Sequence, residues 1–228
     1  MKILIVSATW LEVKLLADDL ELIEETTHLL KKYRLNEIEI DILVAGIGTT
    51  FTAFHLTNTL RDKKYTFVIN VGIAGSLTDE LNIGEVVSVV SDEFADLGIE
   101  KENEFLTLFE TGFMDENEFP FEHGILKATE SNGLFDLKKV RGITTNISHG
   151  RTSSIAEVKS KFSAQVESME GAVVLYICNW FGIPCFQIRS ISNFVEPRDS
   201  AKWNIPLALE KLNLTVLDVL KKLTVEVH

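Results

Sequence analysis

Glu12 is the first side chain in the sequence whose type and position could serve a reaction. It lies two residues after Trp10, where an apolar run at 2–8 gives way to apolar residues at helical intervals. A carboxylate there could stabilise the start of a helix through the helix dipole. It could also act as a general base.

A second pair of carboxylates, Glu167 and Glu170, brackets Ser168 and Met169. The residues that follow are predicted to form an apolar, buried helix, so one glutamate could be a capping charge. Two glutamates with a methionine between them suggest an apolar surface beside a carboxylate that accepts hydrogen bonds from vicinal hydroxyls. The stretch is therefore a candidate ribose clamp.

Residues 189–203, RSISNFVEPRDSAKW, place two arginines, three serines and an asparagine directly after an apolar run. Asn193 falls at the expected end of a strand, where it could simply form a turn. Its amide is also a permanent hydrogen-bond donor, whereas a carboxylic acid donates only while it is protonated. An amide at this position therefore indicates a site that needs a hydrogen-bond donor at any pH.

Two glycine-containing stretches, at 46–48 and 72–75, follow predicted strands. Such glycines allow tight turns, and they also allow backbone N–H groups to line a ligand pocket. Neither stretch has the third glycine of the dinucleotide fingerprint or the Gly-Lys-Ser/Thr end of a P-loop. We therefore expect neither NAD nor a nucleoside triphosphate as a ligand, and no cofactor.

Strands and helices alternate around these stretches. Apolar runs predict strands at 2–8, 39–44, 66–71, 86–90 and 185–191, with a weaker signal at 143–147. Helical spacing predicts helices at 11–20, 51–60, 168–181 and 207–220. Near-continuous apolar strands separated by helices predict an α/β fold whose sheet is covered on both faces, with sites in loops beyond the strand ends.

The segment 92–137 departs from this alternation because it is acidic and holds seven phenylalanines. Such a composition is too aromatic for disorder. We expect an irregular excursion that packs on the domain, on a partner subunit or over the site. Because 228 residues with 46% hydrophobic content can bury one core, we expect a single domain over 1–228.

The charge balance of 22 basic and 34 acidic residues gives a net charge of −12, which disfavours nucleic acid and anionic membranes as partners. The sequence shows no signal peptide and no apolar run long enough to cross a bilayer, so we expect a soluble, cytoplasmic protein. Cys178 and Cys185 lack metal-ligand spacing. We expect buried thiols and no metal site.

Four motifs occur in the order found in the nucleoside phosphorylase and nucleosidase superfamily, which the chain resembles over nearly its whole length. They are GIG at 46–48, VINVGIAGSL at 68–77, VESMEGA at 166–172 and IRSISN at 188–193. The resemblance implies a three-layer α/β/α fold around a central mixed, mostly parallel sheet. It also implies a nucleoside as ligand and a homodimer or larger homo-oligomer.

Within this superfamily the chain most resembles the futalosine hydrolases of menaquinone biosynthesis. The resemblance rests on Ser192 and Asn193, followed by Glu-Pro-Arg-Asp at 196–199 and by Trp203. The methylthioadenosine/S-adenosylhomocysteine nucleosidases have an aspartate where Asn193 stands. The family therefore implies that futalosine is cleaved to hypoxanthine and dehypoxanthine futalosine.

The asparagine agrees with a 6-oxopurine as leaving group. Cleavage of an N-glycoside passes through an oxocarbenium-like ribosyl cation, and a hydrogen bond at purine N7 captures the charge that flows into the base. An acid must stay protonated to donate there, whereas the Asn193 amide donates permanently. Hypoxanthine can leave with less proton transfer because its 6-oxo group draws electrons.

The resemblance also assigns roles to residues. Glu12 would deprotonate or orient the attacking water, helped by Ser76 and Arg189, and Asn193 would contact the base. The expected substrate-binding residues are Gly75, Ser76, Glu167, Met169, Glu170 and Ser192. The anion-holding arginines of a phosphate site are missing from the corresponding positions, and Glu12 would repel phosphate, so water is the expected nucleophile.

Futalosine carries a benzoate-ketone group at the 5′ end, which methylthioadenosine lacks. A buried benzoate favours a cation and an aromatic wall. The candidates are Arg198, Lys202, Trp203, His149 and Arg151, each of which could instead be a surface residue.

Other functions stay open. The rival enzymes are a methylthioadenosine/S-adenosylhomocysteine nucleosidase and a purine nucleoside phosphorylase, and a phosphate requirement would identify the latter. A catalytically inactive nucleoside-binding protein is the alternative from another class. The presence of Glu12 and Glu170 argues against it, because a pure binding protein has no use for a carboxylate that directs water.

Overall fold

The computed structural model of the protein describes residues 1–102, 104–131, 133–197 and 202–225. The helices are α1 (Trp10–Asp18), α2 (Thr49–Asp62), α3 (Thr152–Lys161), α4 (Gly171–Phe181) and α5 (Ile205–Val225). The strands are β1 (Lys2–Ser7), β2 (Glu21–Glu25), β3 (Leu30–Leu35), β4 (Ile38–Val44), β5 (Phe67–Ser76), β6 (Val86–Phe94), β7 (Gly98–Glu100), β8 (Phe105–Thr107), β9 (Leu126–Lys127), β10 (Lys138–Thr144), β11 (Val166–Ser168) and β12 (Cys185–Phe194).

The main sheet runs in the order β11-β10-β6-β12-β5-β1-β4-β3-β2, with β9 added beside β6. The strand β1 is parallel to both of its neighbours, β4 and β5, and β12 is parallel to β5. The hairpin strands β2 and β3 are antiparallel, as are β12 and β6. Because β11 also pairs with β5, the strands β5, β12, β6, β10 and β11 form a closed ring.

Helices cover both faces of the sheet. Alternate residues of β1 point to opposite faces, so that Ile3 and Ile5 join the core under α1 and α5, while Leu4 and Val6 join the core under α2 and α4. All four side chains are buried. The predicted α/β fold with three layers and a mixed sheet is confirmed. We propose that residues 1–228 form a single domain, since both cores share the strands of one sheet.

Several predicted boundaries were wrong. The glycine stretch at 72–75, expected to be a loop, lies inside β5, which continues to Ser76. The helix expected from residue 168 begins at Gly171, because Val166–Ser168 forms the short strand β11. The strand expected at 143–147 instead spans Lys138–Thr144.

The described part of the aromatic excursion at 92–137 packs on the domain itself. It contains the small antiparallel pair β7 and β8 and the short strand β9. The buried Phe121 ring packs at a tilt against Tyr176 of α4, with 5.8 Å between centroids, and Phe119 contacts Trp180 edge-on at 5.1 Å. The excursion therefore covers part of α4.

Two further predictions concern single features. Cys178 and Cys185 are both buried and free of disulfides, which confirms their expected role as buried thiols. Among the described residues, no helix has the length and apolar character needed to cross a bilayer.

Candidate active site

A cavity of about 320 Å³ opens where β1, β5, β11 and β12 end. Its walls include eight residues that the sequence marked as candidates: Glu12, Gly75, Glu167, Met169, Glu170, Ser192, Asn193 and Trp203. The other lining residues, which are mainly apolar, had no individual role assigned from the sequence, although four of them fall within the quoted motifs (Ile47, Ile73, Ala74 and Ser168); the rest are Ala8, Thr9, Leu11, Ser148, Ile205 and Leu209.

Glu12 is nearly buried and serves two structural purposes at once. Its Oε2 atom accepts hydrogen bonds from Ser7 Oγ and Thr9 N, both at 2.9 Å, which closes the first turn of α1. Its Oε1 atom accepts from Ile73 N at 3.1 Å. The helix-start interpretation and a place in the cavity wall are therefore compatible, because the same bonds that cap α1 fix the carboxylate beside the cavity.

Glu170 precedes the first turn of α4 and faces the glycine stretch at 46–48. Its Oε1 atom accepts a hydrogen bond from Gly48 N at 2.9 Å. Gly48 has a φ of 87°, a left-handed conformation that favours glycine and orients this N–H group. Burial raises the pKa of the Glu170 carboxyl to about 7, against the opposing effects of the Arg189 charge and the Gly48 bond.

The side-chain amide of Asn193 is fixed by its neighbours in β12. Ser192 Oγ donates to Asn193 Oδ1 at 2.8 Å, and Asn193 Nδ2 donates to Phe194 O at 3.0 Å. The pairing of β12 with β5 is irregular between Ile191 and Asn193. A local irregularity of this kind re-aims a side chain, and here Asn193 lines the cavity.

Glu167 and Asn193 flank the same residue of β5. Glu167 pairs with Gly75 from β11, and Asn193 pairs with Gly75 from β12. A Cβ atom at Gly75 would lie 2.7 Å from Val195 Cγ2 and 3.3 Å from Asn193 Nδ2. The glycine therefore allows Val195 and the Asn193 amide to pack closely against β5.

Arg189 lies behind the cavity and is 1% exposed. Its guanidinium group donates to Asn70 Oδ1. A Cβ atom at Gly72 would lie 2.8 Å from Glu12 Oε1 and 3.1 Å from Arg189 Nη1, so both groups reach the same point of β5. Burial lowers the pKa of Arg189, and the carboxylates of Glu170, Glu12 and Asp92 oppose that shift.

Asp92 is a buried carboxylate that sequence reasoning missed. It accepts hydrogen bonds from Thr144 Oγ1 at 2.9 Å and from Gln187 Nε2 at 3.0 Å. Burial raises its pKa to about 6. Thr144 Oγ1 in turn accepts from Ala172 N at 2.7 Å, so this network anchors the start of α4 next to Glu170. Little signal was available, because Asp92 is followed by Glu93 at the start of the acidic segment 92–137.

The comparisons with known proteins agree with this architecture. Residues 2–221 match the phosphorylase superfamily. The chain belongs to this superfamily. A futalosine hydrolase from Streptomyces coelicolor is 32% identical to this superfamily member over 75% of the chain and 74% of the relative. A 5'-methylthioadenosine/S-adenosylhomocysteine nucleosidase from Glaesserella parasuis is 27% identical over 82% of the chain and 83% of the relative.

A solved structure shows the same fold as this superfamily member. The native structure of futalosine hydrolase from Helicobacter pylori has a TM-score of 0.78 at 23% sequence identity, and the match covers 99% of this chain and 98% of that chain. The comparison supports the layered architecture described above.

Not all of the predicted site residues lie in the wall of the cavity. Arg189 and Ser76 are not in its lining, and the Ser76 hydroxyl donates to Thr78 O at 2.7 Å. Arg151 is exposed at the start of α3. His149 contacts Glu167.

Of the remaining candidates for binding the 5′ group, one lies at the cavity and one on the surface. Trp203 lies in the cavity wall with Leu11 and Leu209. Lys202 is exposed, and its Nζ atom lies 2.8 Å from Glu196 Oε1. Arg198 lies outside the described residues. Among the residues that the structure describes, those of the 92–137 excursion do not line the cavity.

Proposed function

We propose that the chain is a nucleosidase that cleaves the N-glycosidic bond of a purine nucleoside with water as the nucleophile. The observation that carries this proposal is the convergence of Glu12, Glu170 and Asn193 on one cavity with mainly apolar walls. Glu12 supplies a fixed carboxylate, Glu170 supplies an acceptor for hydrogen bonds from hydroxyl groups, and Asn193 supplies an amide donor. Nucleosidases and hydrolases of nucleosides among the relatives support it.

The residues divide the reaction between them. Glu12 accepts a proton from water, or orients it, on the side of the sugar opposite to the base. Glu170 accepts hydrogen bonds from the ribose hydroxyls, and Met169 lies beneath the sugar. Asn193 donates to N7 as the glycosidic bond breaks, so that the electron pair of the bond leaves with the purine, which then takes a proton from solvent, while the water oxygen bonds to C1′ of the sugar. Arg189 supports Glu12 from behind the wall.

Two features support water over phosphate. The described lining of the cavity contains no lysine or arginine, whereas a phosphate dianion would need cations or stacked N–H groups. The Glu12 carboxylate beside the cavity would repel the dianion.

We further propose futalosine as the substrate. Asn193 suits hypoxanthine as the leaving group, because an amide donates at any pH but does not pass on a proton. Trp203 offers an aromatic wall for the benzoate end. The identity to the Streptomyces coelicolor futalosine hydrolase supports the same substrate.

Methylthioadenosine or S-adenosylhomocysteine is the second candidate substrate, and one observation favours it. Leu11, Ile205 and Leu209 make part of the cavity apolar, which suits an alkylthio group at the 5′ position. The relative from Glaesserella parasuis agrees with this alternative.

The homo-oligomer stays a proposal. Phe51 and Phe54 of α2 are 61% and 65% exposed, and the nearby Ile47 both lines the cavity and is 53% exposed. Exposed apolar side chains of this kind often mark a protein interface. A second copy could therefore cover the entrance to the cavity.

The identity of the nucleophile is tested by turnover of futalosine in ¹⁸O-labelled water, with and without phosphate. Hydrolysis predicts free hypoxanthine without phosphate and one ¹⁸O atom in the sugar product. A strict phosphate requirement, with a sugar 1-phosphate as product, would contradict the proposal and identify a phosphorylase.

A further inference from the structure

His149 and Glu167 form a buried contact in the wall of the cavity. Glu167 lies in β11, and His149 lies in the segment 145–151 between β10 and α3. Their side chains are 7% and 5% exposed. A second His–Glu contact, His123 with Glu116, is instead largely exposed, at 79% and 56%. The buried pair is thus shielded from solvent in a way that the surface pair is not.

His149 engages both oxygens of the Glu167 carboxylate. His149 N donates to Glu167 Oε1 at 3.0 Å, and the ring Nδ1 contacts Oε2. A carboxylate buried without a partner would be costly. His149 therefore supplies the partner that allows Glu167 to lie in a mainly apolar wall.

The pair lies at the end of the cavity that holds Asn193. Glu167 and Asn193 are joined through Gly75, which pairs with both of them across the sheet. Ser148, the residue before His149, lines the same cavity. The pair thus connects two lining residues, Glu167 and Ser148, near the proposed N7 donor.

Other bonds to neighbouring elements hold the two ends of the segment 145–151, and at its far end Arg151 O accepts from Ile155 N at 3.0 Å. Thr145 N donates to Ser168 O at 3.0 Å, and Asn146 Oδ1 accepts from Thr49 N at 3.0 Å. After Asn146, the next hydrogen bonds that tie the segment to another element, among the described residues, are those from His149 to Glu167. The position of Ser148 therefore depends on His149.

We propose that His149 is a positioning residue for recognition of the base. By bonding Glu167 through both its backbone and its ring, it holds Ser148 and the Glu167 carboxylate as a fixed wall at the purine end of the cavity. The identification of this end as the purine end rests on the proposed function. The dependence of the wall on His149 rests on the hydrogen bonds alone and is independent of the proposed function.

The test compares His149→Ala and His149→Asn with the matched control His123→Asn, which breaks the exposed pair. Asparagine suits the control because His123 has a φ of 54°, a conformation that asparagine tolerates. Thermal unfolding first shows that each variant is folded. Calorimetry then measures the affinity for free hypoxanthine, and turnover of futalosine by the wild type is measured in parallel.

We expect His149→Ala to weaken hypoxanthine binding by about tenfold, the scale of one lost hydrogen bond to a charged group. His149→Asn should recover most of the affinity, because its side-chain N–H can still reach Glu167. His123→Asn should bind as the wild type does. In futalosine turnover, His149→Ala should raise KM more than it lowers kcat.

The pH dependence provides a readout that a general loss of stability would not produce. Glu167, through its hydrogen bond, raises the pKa of the His149 ring, with smaller contributions from the carboxylates of Asp96 and Glu157, while burial opposes them. As pH rises through this pKa, the ring loses its charge and the pair weakens. Hypoxanthine affinity of the wild type should fall over that range, and His149→Asn should flatten the profile.

A folded His149→Ala variant with wild-type hypoxanthine affinity would overturn the inference. If the wild type nevertheless turned over futalosine, the proposed function would stand without a role for His149. If the wild type left futalosine intact while His149→Ala lost hypoxanthine affinity, the inference would stand and the substrate assignment would fall. Should His149→Ala not fold, Glu167→Gln serves instead, because its amide oxygen keeps the bond from His149 N but its NH₂ group cannot accept from the ring.

Discussion

The hydroxyl of Ser192 donates to Asn193 Oδ1 at 2.8 Å and thereby determines which end of the amide is free to act as a donor. The NH₂ end donates to Phe194 O at 3.0 Å and keeps a second hydrogen for a ligand. The amide is thus oriented before any substrate arrives. A preorganised donor of this kind needs no rearrangement at the moment of reaction.

Asn193→Ala should lower kcat by on the order of 10²-fold, the scale for the loss of one preorganised donor. KM should change much less, because the bond strengthens as charge develops on the base. Steady-state kinetics of hypoxanthine release measures both constants. An unaltered kcat would contradict the role of Asn193 as the N7 donor.

Asn193→Asp should add activity on adenine nucleosides, most visibly at mildly acidic pH. The new carboxyl group would face the Phe194 carbonyl oxygen, which favours the protonated acid and so raises its pKa. A protonated acid can donate to N7 and pass on its proton. If the ratio of adenine to hypoxanthine release did not change, selection of the base would lie elsewhere.

Glu12→Gln should reduce turnover by about 10²- to 10⁴-fold, the usual range for a lost general base, while substrate binding persists. The amide cannot accept from both Thr9 N and Ile73 N through oxygens, so we also expect a modest loss of stability, about 1 kcal/mol. Calorimetric binding and kinetics separate the two effects. Equal losses of binding and turnover would instead indicate a structural role for Glu12.

The protein should become more stable as the pH falls from about 8 to about 5.5. Burial raises the pKa of Glu170 to about 7 and that of Asp92 to about 6, so proton uptake favours the folded state in this window. The shift at Glu170 corresponds to about 2 kcal/mol over that range. Thermal unfolding across the same pH values measures it.

Glu170→Gln should weaken this pH dependence, because the variant has no carboxyl group to protonate at that position, whereas Asp92 still contributes its smaller part. The exposed Glu210 on α5 provides the matched control, and Glu210→Gln should retain the slope of the wild type. A Glu170→Gln variant with an unchanged slope would show that Glu170 does not titrate in this window.

The sequence predicted what depends on local pattern. Apolar runs located β1, β4 and β12, because strands covered on both faces bury most of their side chains and are therefore rich in apolar residues. The position of Glu12 at a strand-to-helix transition and the motifs that contain Glu170 and Asn193 indicated residues that do line one cavity.

Features that depend on distant partners escaped prediction. The strand β11 has only three residues, and its existence rests on pairing with β10 and β5. Glu167 and His149 were interpreted separately, since nothing local shows that side chains 18 residues apart meet. The buried network of Asp92 could not be predicted, because its partners Thr144 and Gln187 lie 52 and 95 residues away.

The kcat/KM values for futalosine and methylthioadenosine, measured side by side on purified wild-type protein without phosphate, distinguish the two candidate substrates. We expect release of hypoxanthine from futalosine and a kcat/KM for methylthioadenosine that is lower by at least about tenfold. Faster release of adenine from methylthioadenosine would contradict this expectation, and would show that Asn193 does not restrict the enzyme to a 6-oxopurine.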